Sequence, residues 1–229
     1  MIYTDKYTMT VDESVFLAKR YLVDNIYHSA RLEGCAITFP ETQTILEGVN
    51  VGSVTLDDIQ TVLNLRDAWR FLLAELDKPF DSDYLCVLNG YVSRNESLEW
   101  GRLRTGNVSI SGTNYRPPVM NADTLSKELT RLLTIRFATE RAIEVFLWGC
   151  RSQLFRDGNK RTSTLAANAI LIRNGAGILS VRDEYLLEFN TLLLDYYNTG
   201  VREEMKRFLF EKAIAGLEDK AGSKKNDVK

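Results

Sequence analysis

Residues 153–175, "QLFRDGNKRTSTLAANAILIRNG", join a polar turn that contains a glycine to an apolar helix. In the second half, Leu165, Ala169 and Ile172 recur at the spacing of a helix face. The Asn-Gly pair at 174–175 is typical of a helix C-terminus, where the chain turns into a left-handed conformation. The stretch therefore predicts a loop that leads into the N-terminus of a helix, and the rest of the chain is best understood around that junction.

The turn at the start of this helix concentrates groups that bind anions. A helix N-terminus offers unbonded amides and the positive end of the helix dipole, and Gly158 permits close approach of a ligand to the backbone. Lys160 and Arg161 add cations, Asn159 adds an amide donor, and Asp157 supplies the hard oxygen that Mg²⁺ prefers on a polyphosphate. These residues indicate a nucleotide phosphate pocket. An ordinary solvated turn is the alternative, since Asp-Gly-Asn is common turn material.

Composition limits the classes of protein to consider. A chain of 229 residues that is 45% hydrophobic can form one compact unit. With 29 basic and 31 acidic residues, interspersed along the chain, it has no global field or basic stripe for nucleic acid or an anionic membrane. The three cysteines show no CxxC spacing, and no signal peptide or membrane span is recognisable. We therefore expect reduced thiols and a cytoplasmic location.

The fold class expected from the apolar pattern is mainly α, since long stretches carry apolar residues three or four apart and only four prolines occur. The pattern predicts the following helices: one with Val15, Ala18, Leu22 and Ile26 on one face and an end at Gly34; one that begins at a Thr55 cap; one over 84–92; one from about Asp123 to Trp148; and one or two within 183–215.

One segment departs from the helical pattern. Residues 100–118, "WGRLRTGNVSISGTNYRPP", contain three glycines around an alternating "VSIS", which predicts a short strand or hairpin followed by a proline-stiffened loop. Such a hairpin is either a surface excursion or an exposed edge that pairs with a visiting peptide. Residues 216–229 are polar and charged, and we expect this tail to be disordered.

Three segments together resemble the Fic/Doc (Fido) family. Residues 153–175 resemble its signature, His-x-Phe-x-Asp/Glu-Gly-Asn-Gly/Lys-Arg, and residues 100–118 are similar to its hairpin flap. Residues 29–34, "SARLEG", fit its inhibitory-helix pattern, Ser/Thr-x-x-x-Glu-Gly/Asn. The resemblance implies a Fic-fold helical bundle with a small β-hairpin flap. Its parts would be an inhibitory-type helix and linker (1–54), a Fic-like core (55–215) with the flap at 100–118, and the tail (216–229).

The resemblance also implies a function, because enzymes of this fold usually transfer AMP from ATP to a hydroxyl of a target protein. It implies the following roles: Asp157 as the Mg²⁺ ligand; Gly158, Asn159, Lys160 and Arg161 as nucleotide-binding residues, with Arg161 as the phosphate clamp; Phe155 as a packing anchor; Val108, Ser109 and Ile110 as the flap that holds the target as an added strand; and Ser29 and Glu33 as inhibitory residues that obstruct the γ-phosphate. ATP and Mg²⁺ are the implied cofactors, and the sequence leaves homo-oligomerisation open.

The catalytic position departs from the family pattern. The family's base is a histidine two residues before the phenylalanine, and Gln153 stands there. A glutamine amide does not accept a proton near neutral pH, although it still forms hydrogen bonds. The sequence therefore predicts AMP transfer that is absent or slower by about 10²- to 10⁴-fold, with nucleotide binding retained. His28, the single histidine, neighbours Ser29 and is interpreted as a surface or packing residue.

Two further departures concern the phosphates. Thr164 occupies the position of the family's second arginine, which normally pairs with the inhibitory glutamate, so Glu33 would face Lys160 or Arg161 instead. Lys160 with no second arginine resembles Doc-like toxins, which transfer the γ-phosphate. A Doc-like phosphotransferase and a non-catalytic regulator that binds nucleotide or target are therefore the alternatives to impaired AMP transfer.

Overall fold

The computed structural model describes residues 2–217, and the predicted tail lies outside them except for 216–217. The helices are α1 Val11–Arg20, α2 Leu22–Leu32, α3 Phe39–Leu46, α4 Leu56–Ala74, α5 Ser82–Val92, α6 Ala122–Leu133, α7 Ala138–Ser152, α8 Asn159–Arg173, α9 Leu186–Thr199 and α10 Glu203–Phe208. Two short strands, β1 Ile178–Leu179 and β2 Ile214–Ala215, pair antiparallel. None of the helices described has the length and apolar character needed to cross a membrane.

Helix α8 forms the centre of the bundle. Every residue from Arg161 to Ile172 is buried, so the helix has no solvent face. Its closest neighbour is α7, and a methyl group at Gly149 would overlap the Ser163 hydroxyl, so the two backbones approach closely. Asn168 fixes the other end, since its side chain both donates to and accepts from the backbone of Leu179 in β1. The start of α8 is thereby held rigidly against the core.

The mainly α prediction is confirmed, and Thr55 caps α4 by accepting a hydrogen bond from the Asp58 amide at 3.1 Å. Two expected helix extents are wrong. The N-terminal helix is two helices, because Tyr21 (φ −101°, ψ 24°) interrupts it and a capping box of Thr10 and Glu13 starts the first. The helix expected over 123–148 is also two, and they are separated by residues 134–137.

The strand expected within the flap is the third correction. Residues 108–110 have no regular secondary structure and are followed by a turn at 111–112, and no backbone ladder forms within the flap's described residues. Two prolines in the returning arm lack amide hydrogens, and their carbonyls accept hydrogen bonds from Arg104 at 3.0 Å (Pro117) and 2.8 Å (Pro118). Ladder donors and acceptors are therefore missing or already used, and the strand pair lies elsewhere, at β1 and β2.

Candidate functional site

The motif loop, residues 153–158, connects α7 to α8 and is closed by one side chain. The Asn159 side-chain oxygen accepts from the Phe155 amide at 2.9 Å, and its nitrogen donates to the Phe155 carbonyl at 2.8 Å. Phe155 and Leu154 are buried beneath the loop, as the packing role of Phe155 requires. Asn159 thus uses its side chain to hold the loop, which leaves its backbone amide as the group that could face a ligand.

Gly158 is the N-cap of α8 and has the positive φ of 70° that favours glycine. A methyl group there would overlap Ser93 Oγ and lie 2.8 Å from Val92 Cγ1, so the glycine lets the loop pack on the end of α5. From the sequence, Gly158 was expected to allow close approach of a ligand, whereas here it allows close approach of α5. The Gly158 amide donates to Asp157 Oδ1 at 2.7 Å, which places the Asp157 carboxylate beside the helix tip.

The first amides of α8 are available to a ligand. Among the described residues, no acceptor bonds the backbone amides of Asn159, Lys160 and Arg161, as expected for the first turn of a helix. The tip opens into a cavity of about 480 Å³, called the site cavity below. Its wall includes Glu33 from the end of α2, flap residues 109–111, Gln153, residues 156–160 and one face of α9.

The structure brings most of the predicted site residues to this cavity. Asp157, Gly158, Asn159, Lys160, Gln153, Ser109, Ile110 and Glu33 line it. Val108, Ser29 and Arg161 do not belong to its wall. Ser29 is buried inside α2, at 8% exposure, and Val108 is half-buried in the incoming arm of the flap.

Arg161, the expected phosphate clamp, is surrounded by carboxylates. Its Nη1 donates to Glu96 Oε2 at 2.5 Å, its Nε lies 3.7 Å from Glu33 Oε1, and its Nη2 lies 3.6 Å from Asp157 Oδ2. Burial alone would lower the pKa of Arg161, but the three carboxylates outweigh it and the pKa is raised. The guanidinium is therefore charged and 4% exposed, with its Nη1 bound to Glu96 and its Nε left, among the described residues, without a hydrogen-bond partner beside Glu33.

Glu33 contacts both of the cations that the sequence left unranked. It follows α2 as its C-cap, and its Oε1 lies 3.7 Å from Arg161 Nε and 4.0 Å from Lys160 Nζ. Lys160 Nζ donates a 2.6 Å hydrogen bond to the carbonyl of Leu32, the last residue of α2. Thr164 is buried, and its hydroxyl donates a hydrogen bond to the Lys160 carbonyl at 3.0 Å. The end of α2 thus lies directly beside the tip of α8.

Gln153 lines the cavity in a left-handed conformation, with φ 46° and ψ 60°. Its side-chain nitrogen donates to the Cys150 carbonyl at 2.7 Å, and its side-chain oxygen accepts from Asn159 at 3.1 Å. Burial raises the pKa of Cys150 to about 12, so its thiol stays protonated. The hydrogen bonds to Cys150 and Asn159 orient the Gln153 side chain, and neither this amide nor the Cys150 thiol takes up a proton near neutral pH.

His28 lies at a different place. Its Nδ1 is 3.2 Å from Ser180 Oγ, and it lines a second cavity that shares no lining residue with the site cavity. Burial is the largest cause of its lowered pKa. This position agrees with the interpretation of His28 as a packing residue.

Arg104 is a site residue that the sequence argument missed. It is 2% exposed, and its side chain donates to the carbonyls of Gln153, Gly106 (2.7 Å), Pro117 and Pro118. Its own amide donates to the Leu154 carbonyl at 2.9 Å. Arg104 therefore joins both arms of the flap to the motif loop. Nothing in "RLRTG" marks this arginine, because its partners are distant in sequence.

Asn89 is a second missed residue, and it connects α5 to the same loop. Its side-chain nitrogen donates to the Asp157 carbonyl at 3.0 Å and to Thr162 Oγ1 at 3.2 Å, and its oxygen accepts from the Gly101 amide at 2.9 Å. A sequence signal did exist, since Asn89 is a lone polar residue within the apolar run "LCVLNGYV".

The charges in the wall of the site cavity suit an anion that is bound together with a metal ion. The free amides and Lys160 attract negative charge, while Asp157 and Glu33 place two carboxylates in the same wall. A polyphosphate that carries Mg²⁺ satisfies both signs, because Mg²⁺ commonly binds one or two protein carboxylates, phosphate oxygens and water. Asp157 fits the role of such a ligand, since it is partly exposed and beside the tip.

Comparisons with known proteins identify relatives of one kind. No family model matches the sequence. The "Protein adenylyltransferase Fic" of Nematostella vectensis is 30% identical over 172 residues, which cover 69% of this chain and 39% of that protein. The protein of the same name from Aedes aegypti is 26% identical over 172 residues, covering 69% and 33%. The chain thus spans between a third and two fifths of the length of these curated relatives.

A solved structure shows the same fold. Residues 134–508 of Fic-1 from C. elegans superpose with a TM-score of 0.70 at 24% identity, covering 84% of this chain and 61% of that one. A Fic domain containing signalling protein from Bacteroides thetaiotaomicron gives a TM-score of 0.62 at 18% identity, covering 81% and 75%. The bundle around α8 is therefore shared with proteins of widely different sequence.

Proposed function

Because this chain belongs to the Fic family, we propose that it binds ATP with Mg²⁺ at the tip of α8 and that its transfer of AMP to a protein hydroxyl is slow or absent. The observation that carries the proposal is that Asn159 and Lys160, whose backbone amides have no acceptor among the described residues, line the same cavity as Asp157. Amides in this arrangement hold phosphate oxygens at helix N-termini.

The chemistry of AMP transfer explains why the rate should be low. A hydroxyl oxygen of the target forms a bond to the α-phosphorus of ATP. The bond between that phosphorus and the oxygen that bridges the α- and β-phosphates breaks, and pyrophosphate leaves. The hydroxyl proton must be taken up at the same time, and the Gln153 amide has no basic nitrogen for it. Loss of such a base typically costs about 10²- to 10⁴-fold. Phosphate binding by the α8 amides does not depend on that base.

Asp157 would be the protein ligand of the metal, because the Gly158 amide fixes its carboxylate beside the tip. Mg²⁺ bound there would offset charge on the phosphates. Arg161 would stabilise the same charge only after its contacts with Glu33 and Glu96 rearrange. We accordingly assign Glu33 an inhibitory role: it occupies the clamp from the end of α2. Ser29 supports that role through α2 packing, since it is buried and away from the cavity.

The flap supports a protein target. Ser109 and Ile110 line the cavity beside Gln153, and residues 108–110 have no ladder partners in the described chain. An extended segment of a target could add along this edge with its hydroxyl near the cavity. Arg104 would keep the edge in register with the motif loop through its carbonyl contacts on both.

The Doc-like alternative has one supporting observation, the ammonium of Lys160 in the cavity wall. A non-catalytic role is supported by the hydrogen bonds that use both polar atoms of the Gln153 side chain. The three free cysteines favour the cytoplasm, which we retain as part of the proposal.

One experiment tests binding and transfer together. Calorimetric titration with ATP should give binding in the presence of Mg²⁺ and much weaker binding without it. Incubation with ATP labelled at either the α- or the γ-phosphate should then leave at most a trace of α-label on protein. Transfer of γ-label would favour the Doc-like alternative, and a complete absence of ATP binding would refute the proposed site.

A further inference from the structure

We infer that Lys160 makes nucleotide binding and docking of α2 compete for one ammonium group. The inference rests on the proposed function, since it supposes a phosphate in the site cavity. It concerns the regulation of the site: a bound triphosphate would draw Lys160 away from α2, and the end of that helix would loosen.

The contact between Lys160 and the end of α2 is short. Lys160 Nζ lies 2.6 Å from the Leu32 carbonyl oxygen, and no other donor bonds that carbonyl among the described residues. The last carbonyls of a helix lack intrahelical donors, and the negative end of the helix dipole favours a cation there. Lys160 therefore supplies both a hydrogen bond and a charge at the end of α2.

The same ammonium belongs to the wall of the site cavity. It is carried by the second residue of α8, beside the free amides that would hold the phosphates. The ammonium is compact and lies on a flexible stem, so it can exchange a carbonyl for a phosphate oxygen. A doubly charged phosphate is the stronger electrostatic partner, because hydrogen bonds between two charged groups exceed those to a neutral carbonyl.

The neighbouring cations are less able to serve in its place. Arg161 is 4% exposed and bound to Glu96 at 2.5 Å, and Arg156 pairs with Glu99 at 2.7 Å. Within residues 2–217, Lys160 alone combines a place in the cavity wall with a hydrogen bond to α2. Since its acceptor is a backbone carbonyl, this connection persists when the side chain of Glu33 is replaced.

The competition can be measured by hydrogen exchange of the amides at residues 28–35. In the wild type, a non-hydrolysable ATP analogue with Mg²⁺ should raise exchange there by on the order of tenfold, the factor for losing one charged hydrogen bond. Lys160→Met should show the raised exchange without nucleotide and no further rise with it. Lys160→Arg, which keeps a cation, should retain part of the response. Amides of α6 provide an internal reference, and circular dichroism verifies folding of each variant.

Calorimetry on the same samples separates this inference from the proposed function. If the analogue binds the wild type and exchange at 28–35 is unchanged or slower, the competition is refuted while the nucleotide site stands. A nucleotide-dependent rise that persists in a folded Lys160→Met protein refutes it as well. If the analogue does not bind the wild type at all, both the proposed function and the competition fail. Should Lys160→Met not fold, Lys160→Arg decides by the size of its response relative to the wild type.

Discussion

Asn159 donates a hydrogen bond from its side chain to the side-chain oxygen of Gln153 at 3.1 Å. The same asparagine closes the motif loop around Phe155, so the orientation of residue 153 is tied to the rigidity of the loop. The Gln153 side chain is thus held at the cavity wall by Cys150 and Asn159. The position is prepared for a catalytic group although Gln153 is not a base.

Gln153→His should raise AMP transfer. An imidazole at this position has a nitrogen that accepts a proton near neutral pH, and Asn159 can orient it by the contact it now makes to Gln153. We expect α-label on protein to increase by about 10²- to 10⁴-fold, and more so when the change is combined with Glu33→Gly. Gln153→Asn is the matched control, since it tolerates the left-handed backbone but adds no base. Equal labelling of both variants would contradict the assignment.

Gly158→Ala should destabilise the protein strongly. The new methyl group meets Val92 Cγ1 at 2.8 Å and overlaps Ser93, and the backbone φ is +70°. We expect a loss of about 3 kcal/mol in the free energy of unfolding by urea denaturation.

Substitutions at two other glycines distinguish the cost of backbone strain at Gly158 from the cost of steric overlap there. Gly48 has φ +88° with open space around it, so Gly48→Ala should cost only about 1 kcal/mol. Gly52 has neither strain nor neighbours, so Gly52→Ala should change stability by less than about 0.5 kcal/mol. Equal losses for Gly158→Ala and Gly48→Ala would show that packing against α5 is unimportant.

Arg104→Met should weaken the connection between flap and motif loop. It leaves the carbonyls of Gln153, Gly106, Pro117 and Pro118 without their donor, and we expect a loss of about 3 kcal/mol in the free energy of unfolding. Arg102→Met is the control, because Arg102 is exposed and lies two residues before Arg104. It should lower the free energy of unfolding by less than about 0.5 kcal/mol. Proteolysis within 105–116 should also accelerate in the Arg104 variant alone.

Stability should fall below neutral pH because of His28. Burial lowers its pKa most, Arg182 lowers it further, and Asp183 and Asp24 act in the opposite direction. The unfolded chain therefore takes up a proton near its ordinary pKa of about 6.5, while the folded protein does not. Stability is complete above that pH and declines as pH falls toward the lower folded pKa, by at most about 1.4 kcal/mol per pH unit.

His28→Gln isolates this effect, since the chain has one histidine. Urea denaturation between pH 7.5 and 5 should show the decline in the wild type and a flatter profile in the variant. Parallel profiles would assign the dependence to other groups.

The sequence was sufficient where the physics is local. The spacing of Leu165, Ala169 and Ile172 located α8, and the Thr55 cap located the start of α4. The order of residues 157–160 also predicted a turn at the N-terminus of this helix, where the candidate site lies. Interruptions of helices were harder to predict from the sequence. Tyr21 separates α1 from α2, yet the apolar face continues across it from Ala18 to Leu22, so the pattern gives no sign of the break.

The tertiary connections of the site were beyond local reasoning. Arg104 contacts Gln153 across 49 positions of sequence, and Asn89 contacts Asp157 across 68. Neither partner changes the local pattern around the other. Gly158 was recognised, but the reason for its lack of a side chain lies in α5, which only the folded chain brings near.

The burial of α8 on every side has a consequence for how this protein could change over generations. Most substitutions between Arg161 and Ile172 would disturb packing before they disturbed any reaction. Selection for folding alone would then preserve much of the signature after the chemistry had lapsed. Gly158, Asn159 and Arg161 are buried as well, so their presence is explained by folding, and the identity of residue 153 says more about whether catalysis is retained.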